Sequence, residues 1–336
     1  MEVMPGVHQI LVDYKGRPLK LYLLMGARLR MLMDFGEAGT PEKNILPALT
    51  TIGVDPASLT HLMATHPDLD HVGGIHAMKA AAPQAKVVCG RADRLQIETP
   101  EGLADLRGRA HYHWHGLGMD DAARAAFIER AGGAGKRLTI DTTFVGDETL
   151  PWDDHGDARG RRVEILHLPG HSHGHLGVYL PWENAAIIGD AVHGTANRFL
   201  DGRAAFAPTY MDVDAYLGTI ERLRAMKLDQ LFSCHWPDCR TPAEVEAFLV
   251  ESRDYALKAE QAIAAVVQVA GEAGVTLREV CLRAKPALGD WPPEKDSETR
   301  SMACGHLQRL AARGLIREHL ERPVRYVWEP HWLGLH

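Results

Sequence analysis

The chain is 336 residues long, 46% hydrophobic and 24% charged. These are globular proportions that exclude a disordered or fibrous protein, and the length passes the ~250–300 residues at which one core stops growing, so a large domain with a smaller companion is expected. A net charge of −7 spread without long runs gives no electrostatic footprint for nucleic acid; the opening MEVMPGVHQILVDYKG is no secretory leader and no apolar run could span a membrane, which predicts a soluble cytoplasmic protein.

In chain order, HQILVDY, LKLYLLM and RLRMLMDFG within residues 7–35 alternate apolar and polar between Gly-containing breaks, so a β-meander opens the fold. Residues 41–52 have helical apolar spacing, with Thr40 as expected N-cap and Pro41 in the first turn. LTHLMATH is a short apolar run that suits a buried strand delivering side chains at its end. After Gly73-Gly74 come a helix stopped by Pro83 and the strand AKVVCG; residues 91–137 read as a helical insertion. RRVEILHL, LGVYLP and AAIIGDAV are strands, DAYLGTIERLRAM is an amphipathic helix, and QLFSCH is a last strand ending in histidine. From 241 the strands vanish. Thr241, Pro242 and Glu244 open a long helix with a capping-box arrangement, and two more helices and a strand pair follow, an order that looks like a winged helix. The expected division is 1–240 and 241–336.

The chemistry concentrates in THPDLDHVGG at 65–74. His66, Asp68, Asp70 and His71 follow an apolar strand and precede a Gly-Gly helix start. Residues two apart on an extended segment share a side, so His66, Asp68 and Asp70 are expected to converge on one point. Further ligand-type residues stand at strand ends: His171 in LPGHSHGH, Asp190 in IIGDAVHG, His235 in FSCHWP and Asp34 in LMDFG. The five cysteines are scattered without a CxxC pair, so reduced thiols are expected; Cys234 and Cys239 flank His235 but lack a second close pair to complete a zinc knuckle.

These motifs resemble the metallo-β-lactamase fold superfamily, whose signature is HxHxDH followed by a distal His, a bridging Asp and a last His. The resemblance covers about residues 1–240 and implies an α/β fold, an αββα sandwich with the small C-terminal helical domain appended. It also implies that His66 and His171 hold one metal ion, that Asp70, His71 and His235 hold a second, and that Asp190 bridges them. Asp34 matches the acidic position of the family's DxG turn, steadying the histidine loop, and His175 the second His of PGHxxGH, a supporting residue and not a ligand. Asp70 is also implied as the residue that orients the attacking water. The second His of HxHxDH is here Asp68, which either ligates as a third carboxylate or turns away, leaving a single metal ion bound through Asp70, His71 and His235. If it ligates, three carboxylates and a hydroxide cancel the charge of two divalent ions, weakening the Lewis acid and favouring Mn²⁺ or Fe²⁺ over the usual zinc.

The implied chemistry is hydrolysis of a small-molecule ester, thioester or lactone by a water whose pKa the metal lowers to about 7. Rival readings are phosphodiester cleavage in RNA and an iron-dependent sulfur dioxygenase. The C-terminal segment resembles the small domain after some lactamase-fold hydrolases, including endoribonucleases; residues 297–336 are nearly neutral, so a rim of the active site or a homodimer contact is the preferred reading. His193, His113 and Trp114 are candidate substrate contacts, the last two because HYHWH at 111–115 would line one face of a strand.

Overall fold

The computed structural model describes residues 1–105, 112–133, 135–153 and 160–329, and for Tyr112 and His113 the backbone alone. The first sheet has seven strands in sequence order: β1 (Glu2–Met4), β2 (Val7–Tyr14), β3 (Arg17–Met25), β4 (Arg30–Met33), β5 (His61–Ala64), β6 (Lys86–Gly90) and β7 (Thr142–Phe144). Its first four strands form the expected antiparallel meander, and β4 to β7 run parallel. The second sheet comprises β8 (Thr149–Pro151), β9 (Arg162–His167), β10 (Leu176–Leu180), β11 (Ala185–Ile187) and, beyond the hairpin of β12 (Asn197–Arg198) and β13 (Ala204–Phe206), β14 (Gln230–Phe232), ordered β14-β11-β10-β9-β8.

Strand pleating separates two cores. Ile165, Ile187 and Phe232 face the first sheet and join its apolar cluster. Their neighbours Leu166, Ala186 and Leu231 face the other way and pack with the helix Val213–Ala225 and the C-terminal helices. Each central strand of the second sheet is therefore buried on both faces, which is why it reads as a continuous apolar run. On the far side of the first sheet, Leu49 and Met78 bury the helices Leu46–Thr51 and Ile75–Ala81.

The 29-residue helix Pro242–Ala270 begins with the capping box of Thr241 and Glu244. Val245, Leu249, Ala256, Ala259, Ile263 and Val267 form its buried stripe, at helical spacing. The helices Leu277–Leu288 and Arg300–Ala312 and a sheet of β15 (Val275–Thr276), β17 (Arg325–Trp328) and β16 (Ile316–His319), in that order, complete the segment; β15 adds a strand to the expected pair.

Three expectations are corrected. Thr40 is itself helical and makes no side-chain cap; a π-type turn at Pro41–Ile45 runs into the α-helix. Residues Tyr112–His115 form a 3-10 turn, so HYHWH does not present a strand face; His111 and the His113 side chain lie outside the described residues. The segment from His66 to Asp70 is not extended throughout, because β5 ends at Ala64 and Leu69–Val72 is a helical turn.

Candidate metal centre

The 65–71 loop owes its shape to backbone bonds. The Asp68 carbonyl accepts the N–H groups of His71 and Val72, so Asp68 ends the extended part and Asp70 and His71 project from the first turn of a helix. Asp68 leaves its carboxylate out of the helix cap and aims it at His171, 3.1 Å away, and His66, 3.7 Å away. Behind the loop, Phe35 N–H donates to the His71 carbonyl and Gly74 N–H to the Gly36 carbonyl. A Cβ at Gly74 would lie 2.2 Å from the Phe35 carbonyl oxygen, so this contact requires the second glycine of the pair.

The other ligand-type residues arrive just past strand ends: His171 after the Pro169-Gly170 turn, Asp190 after β11 and His235 after β14. Together they form two triads, His66/Asp68/His171 and Asp70/His71/His235, in each of which the ligand atoms lie within 4.8 Å of one another. Asp190 Oδ2 is 3.6 Å from His71 Nε2 and 3.4 Å from His235 Nε2.

All four imidazoles are held by their outer nitrogen. His66 Nδ1 meets Thr65 Oγ1 at 2.9 Å, His71 Nδ1 meets Asp34 Oδ2 at 2.8 Å, His235 Nδ1 meets the Pro18 carbonyl at 2.6 Å and His171 Nδ1 meets Thr209 Oγ1 at 3.4 Å. Thr65 Oγ1 in turn donates to Asp34 Oδ2, which leaves its lone pair for His66 Nδ1–H. Carboxylate and carbonyl acceptors select the Nδ1–H tautomer and point the Nε2 lone pairs inward, the arrangement that precedes metal ligation.

Among the described residues, His66 Nε2 and Asp190 Oδ1 are buried with no hydrogen-bond partner. Orphaned buried polar atoms cost about 1–3 kcal/mol each, so four inward imidazoles and three carboxylates fit divalent cations better than they fit an empty core. The electrostatics agree. Burial opposes charge on His71, yet Asp190 and Asp34 hold its pKa well above the usual histidine range; burial likewise works against Asp190, yet His235 and His71 hold it well below the carboxylate range.

His175 donates no ligand to either triad: its Nε2 accepts the Asp190 N–H at 3.1 Å, and its ring stacks on His66. His193 is fully buried, 4.8 Å from the His171 ring and 4.6 Å from Trp236. Trp114 is 46% exposed and lies under the Arg322 guanidinium of the C-terminal hairpin. Residues with no role assigned from sequence also reach the centre: Thr65, Thr209, Cys234 (3.9 Å from Asp34 Oδ2, its thiol pushed up to about 12 by burial) and Arg17, 3.8 Å from Asp70. Thr65 stands inside the quoted motif. Cys234 stands beside His235 in FSCHWP, whereas Thr209 and Arg17 are far from these motifs in sequence, with no spacing signal.

A cleft of about 180 Å³ opens on Asp68 and Asp70, walled by Leu103, Met119 and Phe127 of the insertion and by Thr209, Glu298, Arg300 and Ser301. A larger cleft of about 410 Å³, with His173 and Arg309 in its wall, borders none of the ligand-type residues; the smaller one, which does, is the relevant cleft. The C-terminal helix Arg300–Ala312 also braces the centre. Gly305 packs so closely that a Cβ would sit 2.3 Å from the Met211 carbonyl oxygen, and Met211 N–H holds the Gly170 carbonyl next to His171.

The fold and most of its length recur in a metallo-beta-lactamase family protein from Thermus thermophilus, with a TM-score of 0.71 at 18% identity over 98% of this chain and 100% of that one. A hydroxyacylglutathione hydrolase of Hyphomonas neptunium is 31% identical over 86 residues, 24% of this chain and 31% of the relative. An atrochrysone carboxyl ACP thioesterase of Aspergillus fumigatus is 27% identical over 173 residues, 52% of this chain and 29% of the relative. The chain thus aligns with under a third of either curated relative. The model of the Metallo-beta-lactamase superfamily matches residues 22–235, which takes in both triads and Asp190, and the chain belongs to that superfamily of hydrolases.

Proposed function

We propose that the protein hydrolyses a small-molecule ester, thioester or lactone with two divalent cations, one held by His66, Asp68 and His171 and the other by Asp70, His71 and His235, with Asp190 shared. When bound, such ions supply Lewis acidity that activates water and polarises the attacked carbonyl. Asp70 orients the incoming water, and Asp34, Thr65, Thr209 and Pro18 hold the imidazoles in the ligating tautomer. The cleft of about 180 Å³ beside Asp68 and Asp70 carries this reading, because it is small, half apolar and lined by side chains from three parts of the chain. The names of the thioesterase and hydroxyacylglutathione hydrolase relatives support an acyl substrate. Residues 241–336 act in this reading as a winged-helix-like unit that walls the cleft, through Glu298, Arg300 and Ser301. The five buried free thiols support a reducing, cytoplasmic setting.

Each triad has two imidazoles and one carboxylate, a donor set that suits Fe²⁺ or Mn²⁺ as well as zinc and keeps an iron-dependent sulfur dioxygenase as the second reading. The test is metal content per chain measured together with a panel of ester, thioester, lactone and bis(p-nitrophenyl) phosphate substrates. Carbonyl substrates should turn over, and His71→Ala and Asp190→Ala should lose metal and activity together. Either variant with full metal and full rate refutes the ligand assignment; iron with turnover only of a persulfide favours the second reading.

A further inference from the structure

We propose that Arg17 binds a carboxylate carried by the substrate, so that the enzyme selects acyl compounds with a free acid group; this rests on the hydrolytic reading above. Arg17 begins β3, and its guanidinium is clamped between the rings of Tyr14, 4.9 Å away, and Phe206, 4.8 Å away. Its backbone is tied to the metal centre, since the next residue, Pro18, gives its carbonyl to His235 Nδ1. The preceding carbonyl, of Gly16, accepts the Leu200 N–H at 2.8 Å, which locks the β2–β3 turn to the β12–β13 hairpin that supplies Phe206. The fork is therefore fixed in direction as well as position.

Its donors remain available. Asp70 Oδ2, the nearest carboxylate, is 3.8 Å from Arg17 Nη2, beyond hydrogen-bond length, and no described residue accepts a hydrogen bond from the guanidinium. The side chain is 13% exposed, and its neighbour Asp70 is in the cleft wall. A rigid, planar, largely desolvated fork beside the reacting centre matches a planar carboxylate in two parallel hydrogen bonds. A cation serving only to balance Asp70 would be expected to close on it.

The probes are mono-p-nitrophenyl glutarate and p-nitrophenyl pentanoate, equal in acyl length and different in the terminal acid, together with free glutarate in a calorimetric titration of the metal-loaded protein. In Arg17→Gln the ratio of kcat/KM for acid over neutral ester should fall at least about tenfold, mainly through KM, and the glutarate Kd should rise by a similar factor. Arg17→Lys, which keeps the charge and loses the fork, should fall between. An unchanged ratio and unchanged glutarate binding overturn the proposal and leave the hydrolytic reading standing, as does metal loss in both variants, which would make Arg17 a support for Asp70. If the parent protein hydrolyses neither ester yet binds glutarate through Arg17, the hydrolytic reading fails and the carboxylate site stands. Tighter competition by inorganic phosphate than by glutarate overturns the carboxylate assignment.

Discussion

Asp34→Asn isolates what Asp34 does for the metal centre. The wild-type carboxylate takes Thr65 N–H at Oδ1, and Thr65 Oγ1–H and His71 Nδ1–H at Oδ2, each at 2.8 Å. Its φ of 62° is left-handed, a conformation Asn also tolerates, so the backbone is spared. An amide has one acceptor where the carboxylate has two. If its oxygen faces His71, its NH2 faces the Thr65 N–H; if it faces Thr65, its NH2 forces His71 into the other tautomer, with a proton on the Nε2 that should ligate. Either choice loses one buried charge-assisted bond, about 1.5–3 kcal/mol of folding stability. The second choice also costs metal affinity, expected at roughly 10–100-fold, or about 1.4–2.7 kcal/mol. Urea denaturation of the metal-free protein reads the first quantity, and chelator competition for Zn²⁺ and Mn²⁺ reads the second. Lower stability with unchanged affinity would place the amide oxygen toward His71, whereas stability and metal affinity both unchanged would refute the claim that Asp34 carries these bonds and sets the His71 tautomer.

Three further outcomes follow from the same structure. Glu260 accepts a short contact from Arg309 and a 3.1 Å one from Arg313, and His306 with Arg309 holds its carboxyl down from 4.5 to about 2. Because the folded pKa is the lower one, this stabilisation is present above pH 4.5 and lost as pH falls toward 2. Glu260→Gln should therefore be less stable by about 2 kcal/mol at neutral pH, after discounting for solvent, and the gap to wild type should close in acid; a gap independent of pH in urea melts would contradict this. Gly305→Ala drives a methyl into the Met211 carbonyl and should cost about 1–3 kcal/mol while loosening the His171 triad first, seen as a lower Tm and partial metal content; normal values for both would show that the helix does not brace the loop. Chelation should lower Tm, since three converging carboxylates lose their counter-charge and binding at 1,000 times Kd is worth about 4 kcal/mol; an unmoved Tm would argue against bound ions.

The convergence of the candidate site was legible in the chain because ligand chemistry needs particular residue types, and these sit where apolar strand patterns stop. His66, Asp70, His71, His171, Asp190 and His235 could be named from such positions, and the Thr241 capping box and the opening meander likewise follow from local rules. Local rules failed where backbone bonding competes. Thr40 precedes a helix yet lies inside a π-type turn, and the 65–71 segment bends into a helix that periodicity could not distinguish from extended chain.

Tertiary structure alone decided the rest. Whether Asp68 turns inward depends on His171, 103 residues away, and the Arg17 to Asp70 and Pro18 to His235 contacts join the first hairpin to loops that only sheet packing brings near. The cleft needs the insertion and the C-terminal helix at once, and no local pattern encodes such a meeting. Side-chain type is a property of the chain, whereas which distant acceptor orients an imidazole, and which wall closes a cleft, is set when two sheets bury their apolar faces against each other.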